Sequence, residues 1–145
     1  MTKRVALFAA LIFVVVLACQ NDPESVAERE YNTYYDSVML IHDRTMPMMG
    51  HLENLRAQLK EERRAVINAD TNRYRKVLNL LGELNKAEDA MFAWMHEFDP
   101  DSVDPDQKLD YIKNELVKVK HMEGLMVGGV GMAESYLDEY VPKDQ

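Results

Sequence analysis

Thioether and imidazole groups keep company in this 145-residue chain. Each histidine has a methionine within three residues: Met39 with His42, Met48 with His51, Met95 with His96, and His121 with Met122. Soft sulfur beside imidazole is a ligand set suited to Cu(I). A methionine and a histidine facing each other across a helical bundle can alternatively ligate a b-type haem. One group has the better spacing. Met39, His42, Met46 and Met49 recur at three- and four-residue intervals, on one helical face, and Met91 and Met95 lie one turn apart further on. His42, Met46, Met91 and Met95 are therefore candidate ligands for Cu(I) or haem. Methionine is also an ordinary gap-filler in helical cores, so packing accounts for the same residues. The leading expectation is a protein without a cofactor.

Other chemistry is thin. Asp99, Asp101, Asp104 and Asp106 crowd into one segment and offer oxygen ligands for calcium, but without the glycine and final glutamate of an EF-hand loop. The neighbouring prolines suggest instead a helix stop and a helix cap. There is no Gly-x-Ser-x-Gly, no P-loop and no His-Glu-x-x-His. No histidine follows a glutamate by three residues, which excludes the Glu-x-x-His pairs of di-iron bundles. No catalytic residue is identified, and an enzyme is not expected.

The lone cysteine is the most informative single residue. It rules out an internal disulfide and any Cys-x-x-Cys site. Lys3 and Arg4 precede an unbroken apolar run over residues 5–17, too short for a comfortable membrane span and suited to a secretory signal. The run ends in Val16-Leu17-Ala18-Cys19, which resembles the lipobox of bacterial lipoproteins, with Leu17 larger than is usual at its place. The resemblance implies cleavage between Ala18 and Cys19 and lipidation of Cys19, palmitate included. Residues 1–18 would then be a signal peptide, 19–23 a lipid-anchored tether and 24–145 the folded domain. Gln20 after the cysteine resembles outer-membrane sorting. The stretch Gln20-Asn21-Asp22-Pro23-Glu24 resembles a surface-export tag of Bacteroidota lipoproteins, apart from Pro23.

The chain carries 17 basic and 25 acidic side chains. An acidic body argues against nucleic acid, which demands a basic stripe. It equally disfavours adhesion to anionic lipid. Membrane attachment would fall to the lipid on Cys19.

The elements that must position these residues are helical, because apolar residues recur at three- and four-residue spacing and none alternate as in a strand. A first helix is expected over residues 24–65, capped by Asp22 and Pro23, with a stripe through Tyr35, Met39, His42, Met46, Met49, Leu52, Leu55 and Leu59. Pro47 should kink it, or split it into two shorter helices. A second follows Val77, Leu81, Leu84, Ala87, Met91, Trp94 and Phe98; a third, opened by Asp104 and Pro105, runs through Leu109, Ile112, Leu116, Val119, Met122, Met126, Val130, Ala133 and Leu137. Short linkers at 66–70 and 99–104 force antiparallel neighbours. The expected fold is all-α: an up-down-up antiparallel three-helix bundle with a kinked first helix, following the signal peptide. Folding at the linkers places residue i of the first helix level with about 136 minus i on the second and about i plus 68 on the third. Residues 24–36 would then project as a stalk of roughly 20 Å. His42, Met46, Met91 and Met95 would share one level.

Residues 122–133 carry a single charge, Glu123, and four glycines. A helix apolar nearly all round expects burial all round, more than three helices readily supply. Gly124, Gly128 and Gly131, with Val127 and Met132, are the candidate surface for a protein partner or a second copy. A frayed helix end is the other reading, since each glycine costs about 1 kcal/mol relative to alanine.

Two segments resemble a family of Bacteroidota lipoproteins of uncharacterised function, some labelled "viral A-type inclusion protein". They are Val38-Met39-Leu40-Ile41-His42-Asp43 with Met46-Pro47-Met48-Met49, and Ala87-Glu88-Asp89-Ala90-Met91-Phe92-Ala93-Trp94-Met95 with Phe98 and Pro100. A looser likeness covers residues 111–137, where the family has a Ser/Ala-type helix in place of these glycines. The resemblance implies a helical, coiled-coil-like lipoprotein of the cell envelope and supplies no activity. The resulting expectation is a non-enzymatic, lipid-anchored outer-membrane protein that presents an interaction surface.

Overall fold

A computed structural model describes residues 25–141. Ala18, Cys19, the signal segment, the tether and the Asp22–Pro23 cap lie outside the described residues. The chain forms an all-α bundle of three helices, the first bent by 35°. The two limbs of the bent helix are α1 (Val26–Thr45) and α2 (Met48–Val66), followed by α3 (Thr71–Glu97), a 3₁₀ turn (Pro105–Gln107) and α4 (Lys108–Tyr140).

The bend has a local cause. Pro47 has no N–H to continue the hydrogen-bond ladder, so the chain passes from Met46 N–H on His42 O to Met49 N–H on Met46 O, a tighter i→i+3 bond. The helix resumes at Met48. Its start is set by Ser25, whose Oγ accepts from Glu28 N–H at 3.1 Å. Asp70 caps α3 more fully, Oδ1 accepting from the N–H groups of Asn72 (2.9 Å) and Arg73 (3.0 Å). α4 runs unbroken through all four of its glycines, so the frayed helix end is not what forms.

The core follows a seven-residue repeat along α1 and α2 and along α4. Val38, Ile41, Thr45, Met48, Leu52, Leu55, Leu59, Glu62 and Val66 point inward across the proline bend, all buried except the partly buried Met48. On α4 the same three-four spacing buries Ile112, Glu115, Val119, Met122, Met126, Gly129, Ala133 and Tyr136. This is the spacing of an amphipathic face buried in a helical bundle. In α1 it turns the inner face by one residue from the expected stripe. Val38 and Ile41 are buried, while Met39 and His42 are partly exposed and Met46 is exposed.

Among the described residues four buried positions hold polar side chains; Arg56 pairs with Glu53 and Glu88 but leaves its Nε without a hydrogen-bond partner, and the other three are satisfied. Thr45 donates to Ile41 O at 2.7 Å. Glu62 accepts from the Tyr136 hydroxyl at 2.9 Å and pairs with Arg73. Glu115, 1% exposed, accepts from the Trp94 indole N–H at 3.0 Å and from Lys118 at 2.8 Å. Such pairing removes the penalty of an unsatisfied buried carboxylate.

The expected register needs one correction. α4 lies further along α1 than a tight turn after Phe98 would put it. Arg44 pairs with Glu123 across 79 residues, and His51 with Glu134 across 83, rather than about 68. The connection after α3 climbs past the end of that helix before turning. Tyr111 there accepts from Asp99 N–H at 2.8 Å. α4 therefore covers the start of α1. Lys113 lies 2.8 Å from Glu30 and 5.3 Å over the Tyr34 ring, and Tyr31 and Tyr35 pack on the core. The expected stalk over residues 24–36 does not project from Glu30 onward, where Glu30, Tyr31, Tyr34 and Tyr35 are partly buried; residues 25–29 are exposed without a break.

Candidate docking surface

Between α3 and α4 runs a groove with a volume of about 1020 Å³, open to solvent. α4 contributes Val127, Gly128, Gly131 and Met132 to it, and α3 contributes Leu78, Gly82 and Glu83. Four of the five candidate surface residues thus come together. The fifth, Gly124, lies one turn earlier on α4, exposed, outside the groove lining.

The glycines of α4 play two different parts. A Cβ on Gly129 would sit 3.3 Å from the Glu83 carbonyl oxygen and 3.5 Å from its carbon. That glycine lets the backbones of α3 and α4 approach. Gly82, Gly124, Gly128 and Gly131 would meet nothing within 4 Å. Their missing side chains open the surface rather than tighten the core. Apolar side chains line part of the groove. Leu78 is 41% exposed, Val127 53% and Met132 47%. Contiguous exposed apolar surface of this kind marks interaction sites.

Charge at the groove is mostly internally matched. Lys86 Nζ lies 2.7 Å from Glu83 Oε1. Lys76 rests over the Tyr140 ring at 5.1 Å and donates to its hydroxyl at 3.3 Å, which raises the ammonium pKa above its usual value. Glu123 is held on the far flank by Arg44, with Nη2 at 2.8 Å; that hydrogen bond lowers the carboxyl pKa from its usual range. The one charge within residues 122–133 is therefore drawn off the exposed strip.

The candidate soft-metal residues are distributed differently. Met91 is fully buried in the core. Met46 and Met95 are surface residues, 37% and 39% exposed. His42 packs its ring against Trp94 at 5.5 Å and has Nδ1 3.0 Å from Asp43 Oδ1. Trp94 occupies the space between α1 and α3 there. Among the described residues no group of three or more histidine, cysteine, aspartate or glutamate side chains is gathered for a metal. Of the aspartates after α3, Asp99 serves the turn, its Oδ1 accepting from Ser102 N–H at 3.3 Å; the expected Asp104 cap does not form, since only its backbone O accepts, from Gln107 N–H at 2.9 Å, and its side chain makes no cap bond.

Sequence reasoning missed the α3 wall of the groove. The signal available was Leu78 beside Leu81 and Gly82, an apolar residue off the inner face next to a helical glycine. Among the described residues, no helix is long and apolar enough to cross a membrane. No protein-family model, no curated protein and no solved structure matches this chain.

Proposed function

We propose that this chain is a non-enzymatic lipoprotein of the cell envelope, anchored in the outer membrane through lipid on Cys19, whose acidic helical bundle docks another protein at the α3/α4 groove. The observation that carries the docking role is the groove itself. Leu78, Val127 and Met132 stay exposed around glycines whose absent side chains clear a path for an apposed helix. A bundle that already fills its heptad core has no internal use for that surface. The anchoring role rests on the position of the only cysteine, directly after Val16-Leu17-Ala18 and an apolar run.

Metabolic labelling of cells with a palmitate analogue tests the anchor. The wild-type chain should label and Cys19→Ser should not; equal labelling of the two overturns the assignment. Photo-crosslinking from Met132 in intact cells tests the surface, with a probe at the exposed Lys60 of α2 as control. Adducts from Met132 alone support docking at the groove.

A further inference from the structure

The acidic average of the chain conceals a basic end. Seven of its 17 basic side chains, but only three of its 25 acidic ones, fall within residues 56–76, the close of α2 and the start of α3. Between those two helices lies a second cleft, of about 460 Å³. Arg56, Lys60 and Arg63 line it from α2, and Leu78, Gly82 and Asn85 are among the residues of α3 that face them. Among the described residues no acidic side chain lines it. We infer that this cleft binds the phosphate group of a small organic phosphate monoester. The cleft and the α3/α4 groove share Leu78 and Gly82 as a common wall, but occupation of one does not require the other.

The three cations differ in how far the chain already neutralises them. Arg56 is buried and pairs with Glu53 and with Glu88, its Nη2 2.6 Å from Glu88 Oε2. Its Nε is enclosed without an acceptor. Buried donors are normally satisfied, so this wall holds hydrogen-bonding capacity that the chain leaves unused. Lys60 and Arg63 have no ion pair and no hydrogen bond among the described residues, and Arg63 is partly buried. The nearby acids are engaged elsewhere, Glu61 by Arg64, and Glu62 by Arg73 and the Tyr136 hydroxyl. Three residues apart on a helix, Lys60 and Arg63 are neighbours that can converge on one group. A phosphate monoester brings a charge of about −1.5 to −2 near neutral pH, which matches two cations, whereas a carboxylate brings one. The guanidinium fork suits phosphate oxygens, and the Asn85 amide adds donors opposite. Leu78, 41% exposed, and the buried Leu81 give the organic part an apolar wall. The volume lies in the range of small-molecule sites, about 300–1,000 Å³.

The test titrates the full chain, in non-ionic detergent at physiological salt, with phenyl phosphate by calorimetry. Binding should saturate at one phosphate per chain, with a Kd of about 1 mM or tighter. Lys60→Gln and Arg63→Gln, each checked for helix content by circular dichroism, should weaken it about tenfold. Lys120→Gln removes an exposed cation of α4 outside the cleft and should change nothing. Benzoate, with a single charge on the same ring, should bind several-fold more weakly. Absence of saturation up to about 10 mM phenyl phosphate overturns the inference. So does a loss from Lys120→Gln equal to that from Arg63→Gln, which would reduce the effect to diffuse attraction by surface charge. Benzoate binding as tight as that of phenyl phosphate overturns the phosphate assignment. Phosphatidic acid doped into the micelles separates two sources of a phosphate monoester. Displacement of phenyl phosphate assigns the group to a lipid headgroup, and no displacement assigns it to a free organic phosphate.

Discussion

Near Phe98 the bundle is closed by large rings, whereas along the α3/α4 seam it is shaped by missing side chains. Trp94 stacks on Phe98 at 4.9 Å, Phe98 contacts Tyr35 and Tyr111, and His42 covers the other side of Trp94. Here the helices are held apart by the rings they carry. Along the seam, Gly129 brings α3 and α4 into backbone contact while Gly82, Gly128 and Gly131 leave a trough outside it. Filling makes a region stable and inert. Emptying makes one strip of surface available at some cost in helix propensity, about 1 kcal/mol for each glycine relative to alanine. The molecule thus concentrates its stability in one region and its accessible apolar surface in another.

The largest effect should come from emptying the filled region. Trp94 is 6% exposed and donates its indole N–H to the buried Glu115. Trp94→Ala leaves a cavity and removes one partner of an enclosed carboxylate. A loss of about 3–5 kcal/mol is expected for the cavity alone, with more from Glu115. Trp94→Phe restores most of the apolar volume and should cost about half as much or less. Urea unfolding monitored by circular dichroism checks both. If alanine and phenylalanine variants are equally stable, the aromatic end is not close-packed.

The comparison sharpens within a single turn of α4. Gly128 and Gly129 are adjacent, yet only Gly129 has Glu83 backbone in the way of a Cβ. Gly128→Ala should stabilise the monomer by about 0.5–1 kcal/mol through helix propensity. Gly129→Ala receives the same propensity gain but must displace a backbone carbonyl, so it should be destabilising by about 1 kcal/mol. Opposite signs at neighbouring glycines would separate the surface-opening role from the helix-approach role. Matching signs would erase the distinction.

The difference between these regions also explains what could be read from the chain. Bundle and bend were legible, because periodicity and Pro47 act locally, whereas the caps were not: Asp70, unremarked in the sequence, caps α3 and the expected Asp104 cap does not form. The inner face of α1 was less so. Thr45 and Glu62 occupy core positions through hydrogen bonds made within the turn or by Arg73 and Tyr136, whereas Met39, His42 and Met46 mimic a core stripe beside the true one. Methionine discriminates poorly between a core position and its margin. The height of α4 depended on a connection that climbs before it turns, which its length in residues does not reveal. Half of the groove was visible as glycines in an uncharged run. The other half belongs to α3 and required the register.

The smallest predicted effect concerns the charge that borders both regions. Arg44 of α1 holds Glu123 of α4 through two nitrogens, just before the glycine strip begins. That hydrogen bond lowers the carboxyl pKa in the folded chain from its ordinary value of 4.5. A carboxyl with a depressed folded pKa contributes stability above its unfolded pKa, and the contribution disappears as pH falls through the folded value. Arg44→Ala should therefore unfold at a slightly lower urea concentration than wild type at pH 7, and the two midpoints should converge as the pH falls through the depressed carboxyl pKa of the folded wild type. High salt should narrow the gap at pH 7 as well, because the guanidinium is exposed to solvent. A deficit that persists at both extremes would mean that Arg44 acts through its alkyl stem packing on α4 and not through its charge.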